Sequence, residues 1–448
     1  MMGLFFGAIA DDDTGATDLA GMLTEQGMHV ATVLQGASEI DVRRWTSDCD
    51  AVVIGTGSRS IARHEAYART ASAAQTLVKL GAKIIAVKYC STFDSTTEGN
   101  IGASIDAAMD VTGVRFTVAL PALPSLGRTT YLGYHFVHDK LLSDSTMRHH
   151  PLNPMSNPHL PSHLQAQTSR RVGIVPYPVV AGDVTGVKEH LRKLELEGTQ
   201  IALLDCVDNR QLRVLGEAAC EMPLLTGSSA WGMILPQLWR ERGIWHLPQG
   251  GRNLLERSPG GHGHLIVSGS CSEATAAQNA WAAANGIEVF AVDPIILIQD
   301  GRAPEAVVQK LVESLSMESN CLLASTSPAR SQTDVHAWTR TQGISPLEAG
   351  ERIGAALAQT VCAIFRHATP RGLIVAGGET SSLLMRKLEL GGLRVGKNID
   401  PGVPVCVALA QPGLGVVLKS GNFGSPDFYA RAITAIDRLP LTKMEGAS

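Results

Sequence analysis

No stretch of this sequence approaches the roughly 18 consecutive apolar residues of a membrane-spanning helix. Its apolar opening, Met1 to Ala10, lacks a basic leader and runs straight into Asp11-Asp12-Asp13, unlike a secretory signal. Cysteine is sparse and scattered. The eight cysteines form no C-x-x-C pair, which fits neither a zinc site nor a disulfide framework and points to reduced thiols in a cytoplasmic protein. Positive charge is not in excess either. A formal net charge of -4 supplies no basic stripe for DNA or RNA, so neither nucleic acid nor membrane is expected as a partner. Also missing is a G-x-G-x-x-G after the first apolar run, and the next run ends at Leu34-Gln35 without an acid for a ribose. That argues against a dinucleotide-dependent oxidoreductase.

What is present is an ordinary globular composition, 44% hydrophobic and 18% charged over 448 residues. That length exceeds what one hydrophobic core usually supports, so two domains are expected. Short apolar runs alternate with polar, Gly-containing loops and longer segments of helical spacing. The pattern predicts an α/β protein of two domains, each with a largely parallel sheet covered by helices, and a ligand cleft between them. The Gly-, Pro- and Arg-rich stretch 247–263 marks the boundary, near residue 255. The expected domains are 1–250 and 256–440. Segment 121–170 has little periodicity and reads as a long irregular, functional excursion.

In parallel sheets, ligands sit beyond the carboxyl ends of the strands, which makes the loops there the candidate sites. ADDDTGATD (Ala10–Asp18) places three carboxylates at a strand end, more than helix capping needs. Such a group can accept a proton, bind a sugar hydroxyl or hold Mg²⁺. GTGSRS offers Arg59, a bidentate partner for a carboxylate. KYCSTFDSTTEGN (Lys88–Asn100) packs a lysine, two acids and five hydroxyl residues into one loop, suited to a polyhydroxylated ligand. AGGETSS, SGNFG and SGSCSEAT are glycine-rich loops after apolar strands, where backbone N–H groups can approach phosphate. Three in one domain suggest a nucleotide pocket. GGLRVGKN (Gly391–Asn398) imitates a P-loop but ends in Asn398 and precedes no helix, so it is rejected. His149-His150 lacks metal-ligand spacing, and no metal site is expected in the chain's own residues.

ADDDTGATD, KYCSTFDSTTEGNIG, GRTTYLGYHFV, MRHHPLNPM, AGGETSS, NIDPGVPV and LKSGNFG occur in this order. Together they resemble the four-carbon acid sugar kinases, most closely the 3-oxo-tetronate 4-kinase branch. The resemblance implies an N-terminal domain for the sugar acid and a C-terminal domain for ATP with Mg²⁺, a terminal hydroxyl being phosphorylated. It implies nucleotide contacts at Ser268, Gly377, Gly378, Glu379, Thr380, Gly421 and Asn422. Substrate contacts fall on Arg59, Lys88, Ser95 and Arg128, with Asp12 and Asp94 as catalytic carboxylates. Two features depart from the branch: Pro124-Ser125-Leu126-Gly127-Arg128 stands where PENGR is common, and Asp13 where an apolar or aromatic residue is usual. Glu98, where the broader family often has Arg, agrees with the branch. Kinases for threonate, erythronate or a branched 3-oxo acid are the alternative, and a non-catalytic sugar-acid sensor the more distant one. Homo-oligomerisation is left open.

Overall fold

The computed structural model describes residues 4–149, 153–247, 255–270, 272–326, 332–419 and 424–442. The chain divides into two compact units, Met1–Gly250 and Gly251–Ser448.

In the first unit the strands of the main sheet are β1 (Phe6–Ala10), β2 (Val30–Leu34), β3 (Ala51–Gly55), β4 (Ile84–Lys88) and β5 (Thr117–Leu120). Further along come a three-stranded ribbon, β6 (Arg128–Tyr131), β7 (Tyr134–Val137) and β8 (Lys140–Leu141), then β9 (Val172–Val175), β10 (Ile201–Leu204) and β11 (Leu224–Gly227). The main sheet runs β2-β3-β1-β4-β11-β5-β10-β9 with every pair parallel. Its strands are short and, apart from edge strand β9 and the last residue of β2, buried throughout, such as FGAIA and AVVIG, as expected where helices cover both faces. The chain leaves β1 toward β2 and β3 on one side, then crosses to β4 on the other. That reversal opens the crevice in which α/β sheets place ligands. Register fixes what lines it: Ala10 lies beside both Gly55 and Lys88. The residues leaving β1, β3 and β4 therefore converge.

Segment 121–170 is more regular than its composition suggests. It carries the antiparallel ribbon and a short helix, Leu160–Gln165. The ribbon hides in the sequence because its strands are only two to four residues long.

In the second unit the strands are β12 (His262–Ser268), β13 (Glu288–Ala291), β14 (Asn320–Ala324), β15 (Pro370–Ala376), β16 (Gly392–Asp400), β17 (Val403–Ala408) and β18 (Gly415–Lys419). Their order is β13-β14-β12-β15-β18-β17-β16. The first five are parallel, whereas β17 is antiparallel to both neighbours. GGLRVGKN falls almost wholly within strand β16, which disposes of it as a phosphate loop.

Candidate active site

Helix Asp13–Glu25 begins directly beyond β1, and Asp12 is its N-cap. The Asp12 carboxylate accepts from the Gly15 N–H at 2.7 Å and the Thr14 hydroxyl at 2.9 Å. That leaves Asp11 at the strand mouth. Arg59, four residues past the end of β3, donates Nε to one Asp11 oxygen at 2.8 Å and Nη2 to the other at 3.0 Å. Its Nη1 lies 3.0 Å from Asp12. The Lys88 Nζ, at the end of β4, is 4.0 Å from Asp11 and almost wholly buried. Asn100 and Asn153 fix the arginine's loop by donating side-chain N–H groups to the carbonyls of Ser58 and Arg59 respectively.

Asp11, Arg59, Lys88, Asp94 and Asn100 line one cavity. The structure thus brings together Asp12, Arg59, Lys88 and Asp94. Asp94 sits in the loop after β4, its carboxylate accepting from the Thr92 hydroxyl at 2.5 Å. It follows Phe93, a fully buried ring held at φ +56°, a conformation rare for a bulky residue and costly to keep. The ring packs edge-on against Tyr89 at 5.3 Å, and this packing holds the backbone that aims Asp94.

Two expected substrate residues are placed differently. The Ser95 hydroxyl is fully buried and engaged, donating to the Phe93 carbonyl at 2.9 Å and accepting from Gln167 at 2.9 Å. His163 lies 3.1 Å from the same hydroxyl. Arg128, half-buried on β6, donates to the Leu126 carbonyl, while its Nε is buried without a hydrogen-bond partner. Arg128 and Asp94 both act electrostatically on His135. His135 joins the ribbon to the Asp94 loop. Its Nε2–H donates to the Ser91 carbonyl at 2.8 Å and its Nδ1 accepts from Thr130 at 2.9 Å.

The carboxylates differ in electrostatics. Burial pushes Asp12 up, but Arg59, then Lys88 and the two hydrogen bonds outweigh it and hold the group below the usual carboxylate value. Asp18, one turn beyond Thr14 in the same helix, goes the other way: burial raises it, and Lys88 and a hydrogen bond from Ser229 only partly offset that. Asp11 and Asp18 were inside a motif singled out from the sequence, but as site residues they were missed. Placing Asp11 needs the strand's end to the residue, and Asp18 emerges only when Thr14 and Asp18 are put one turn apart on a helix. Asp13 is buried against β3, where a Cβ on Gly55 would come within 2.2 Å of its Oδ1.

In the second unit Ser268, Ala376 and Lys419 end three adjacent strands in register. Ser268 is buried and its hydroxyl accepts from Asn279 at 2.9 Å. Gly377, at φ +137°, makes the turn from β15 into helix Gly378–Lys387. The N–H groups of Gly378, Glu379 and Thr380 fall in the helix's first turn, where no intrahelical acceptor exists. The Glu379 side chain is exposed and Thr380 buried. A Cβ on Gly269 would come within 2.2 Å of the Thr380 hydroxyl, so two of the glycine loops touch. Gly421 and Asn422 lie outside the described residues. Among the described residues no group of three or more His, Cys, Asp or Glu side chains is arranged to hold a metal. No helix among them is long and apolar enough to cross a membrane.

Residues 6–235 match the family model of a sugar-binding N-terminal domain, and residues 265–429 that of a nucleotide-binding C-terminal domain. A sugar-binding unit followed by a nucleotide-binding unit defines a two-domain sugar kinase class. Relatives narrow it. The chain is 39% identical to a 3-oxo-tetronate kinase of Pseudomonas fluorescens, covering 95% of this chain and 96% of that one. It is 38% identical to a 3-oxo-tetronate kinase of Burkholderia multivorans, covering 96% and 97%. A crystal structure from Salmonella typhimurium LT2, described as a tRNA synthase, superposes with TM-score 0.80 at 34% identity, covering 95% and 98%; neither family model repeats that description. The chain belongs to the four-carbon acid sugar kinase family, in its 3-oxo-tetronate kinase branch.

Proposed function

We propose that this protein is an ATP-dependent kinase that phosphorylates the terminal hydroxyl of a 3-oxo-tetronate, giving the 4-phosphate. The observation that carries the sugar-acid half is the buried charge cluster at the ends of β1, β3 and β4. A small sugar acid has few apolar atoms, so its affinity must come from its carboxylate and hydroxyls. Arg59 has its paired fork committed to Asp11. Lys88, buried and 4.0 Å from the nearest acid, is therefore the principal carboxylate partner, with the remaining Arg59 N–H groups beside it. Asp11 and Asp12, held by Arg59, accept from substrate hydroxyls. Asp12 is already engaged by Arg59 and by the helix N-terminus, so it positions the substrate rather than taking its proton. Asp94 takes the proton of the attacking hydroxyl. Phosphoryl transfer asks mainly for positioning and charge neutralisation, which such a preset cluster supplies.

ATP is the donor, bound by the glycine-rich segments of the second unit: Ser268, Gly377, Gly378, Glu379 and Thr380, with Gly421 and Asn422, which follow β18 in the sequence. Mg²⁺ accompanies the nucleotide and is held chiefly by phosphate oxygens. The test is ADP release across 3-oxo-tetronates, threonate and erythronate. Turnover of a 3-oxo acid above the others supports the reading, and preference for threonate or erythronate reassigns the substrate. Binding of the acids without ADP release would leave a sensor.

A further inference from the structure

Thr92 lies in the loop that follows β4, two residues before Asp94, and is buried. Its hydroxyl has two neighbours, both of them side chains. One is the Asp94 Oδ1, 2.5 Å away, and the other the Cys90 Sγ, 2.9 Å away. A hydroxyl has one proton to give. Asp94 is an acceptor, so the proton goes there and the Cys90 thiol donates in its turn. Burial, and after it the neighbouring Asp94, push that thiol up to about 12, so it keeps its proton. Thiol, hydroxyl and carboxylate thus form a chain that ends on one oxygen of Asp94.

Hydroxyls in turns commonly bond the adjacent backbone. This one bonds none, and the loop is tied without it. The Phe93 N–H donates to the Cys90 carbonyl at 2.9 Å, the Ser95 hydroxyl to the Phe93 carbonyl at 2.9 Å, and His135 to the Ser91 carbonyl at 2.8 Å. What the Thr92 hydroxyl fixes is a carboxylate. Asp94 lines the cavity that it shares with Asp11, Arg59 and Lys88, and Thr92 does not line it. The second carboxylate oxygen, Oδ2, makes no hydrogen bond within the described residues. With Oδ1 held by Thr92, Oδ2 is the oxygen left for a ligand.

We infer that Thr92 is a positioning residue for the phosphoryl transfer, its hydroxyl holding one oxygen of Asp94 so that the other meets the attacking hydroxyl of the sugar acid. This rests on the reading of Asp94 as the base and adds the group that orients it. As the substrate oxygen bonds to the terminal phosphorus of ATP and ADP departs, the hydroxyl proton passes to Oδ2. Thr92 keeps its hydrogen bond to Oδ1 throughout.

Steady-state kinetics of the full-length protein on the 3-oxo-tetronate tests it, comparing wild type with Thr92→Val, Thr92→Ser, Asp94→Asn and the Thr92→Val, Asp94→Asn pair. Valine keeps the branched shape and removes the hydroxyl. In Thr92→Val, kcat should fall about 10- to 100-fold, the scale of a misplaced reacting group, while KM for the acid and for ATP stays in place. Thr92→Ser should recover most of the loss. Added to Asp94→Asn, Thr92→Val should cost little more, because residues acting as a unit are not additive. A threonine that merely stabilised the loop would raise the acid KM along with any loss in kcat, and its effect would add to that of Asp94→Asn. Unchanged kcat in folded Thr92→Val, no recovery in Thr92→Ser, or full additivity overturns the inference. Should Thr92→Val fail to fold, Thr92→Ala, which puts no methyl against the carboxylate, carries the same comparison. Near-full kcat in Asp94→Asn would instead sink the assignment of the base itself, and this inference with it.

Discussion

Arg59 and Asp11 meet side-on, the guanidinium donating to both carboxylate oxygens at 2.8 and 3.0 Å. The third guanidinium nitrogen reaches Asp12 at 3.0 Å. One arginine thus aligns two carboxylates at the mouth of β1, and its own backbone N–H donates to the Asp11 carbonyl at 3.2 Å. Its planar fork positions both acids, and only its remaining N–H groups are left for a ligand.

Lysine cannot reproduce that fork. Arg59→Lys should keep the charge, release the paired geometry and lower kcat/KM for the sugar acid about 10- to 150-fold, corresponding to roughly 1.5–3 kcal/mol. The KM for ATP should not move. Steady-state kinetics with each substrate varied in turn decides, and an unchanged kcat/KM for the acid removes Arg59 from the site.

Asp94 and Asp12 should separate kinetically. Asp94→Asn should cut kcat by about 10² to 10⁴ with little change in KM, as loss of a general base does. Asp12→Asn keeps a good N-cap but loses the charge facing Arg59, so it should chiefly raise the KM for the acid. If Asp94→Asn retains near-full kcat, the proton goes elsewhere, and Asp18 becomes the group to change next.

His135 makes the Asp94 loop sensitive to acid. Burial lowers its pKa from 6.5 to about 4, against the hydrogen bond to Ser91, which raises it. The folded state therefore binds fewer protons than the unfolded one. The stability this neutral ring contributes is complete above about pH 6.5 and is lost as pH falls toward about 4. The full span is about 3 kcal/mol. His135→Gln should flatten that part of the profile, read as a smaller drop in unfolding temperature between about pH 7 and pH 4.5. An undiminished drop would show that the acid sensitivity arises elsewhere.

Much of this was legible in the sequence. The strands bearing the site, β1, β3 and β4, are unbroken apolar runs that stop where a polar loop starts, and the glycine loops stand out for the same reason. What was hidden depends on direction rather than composition. Ser95 belongs to a hydroxyl-rich loop, yet its side chain turns inward to Phe93 and Gln167. Lys419 in LKSGNFG looks like any surface lysine until β18 is placed beside β15. Asp11 outranks Asp12 at the strand mouth because Asp12 is used as the helix cap, a one-residue distinction that residue types do not carry. The antiparallel β17 is as apolar as the parallel strands of its sheet, and so gives no sign of its direction.

Gly15 offers a test in which stability and function should move apart. It lies in the first turn of helix Asp13–Glu25, and its N–H caps to Asp12. On propensity alone, alanine there should stabilise the helix by up to about 1 kcal/mol. A Cβ at this position, however, would come within 2.1 Å of the Lys88 Nζ and 2.4 Å of an Asp12 oxygen. Both are ends of side chains and can shift, but the Asp12 oxygen would strain or lose its cap on the Gly15 N–H, which offsets the gain in propensity. They are also the two groups assigned to the substrate's carboxylate and hydroxyls. Gly15→Ala should therefore change the unfolding temperature little, while the KM for the sugar acid rises by at least about tenfold, the loss of one charged contact. The KM for ATP should stay as in wild type, because the glycine loops assigned to the nucleotide are untouched. Equal sugar-acid KM values in a well-folded Gly15→Ala protein would mean that the place held by the Lys88 amine is not where the acid binds.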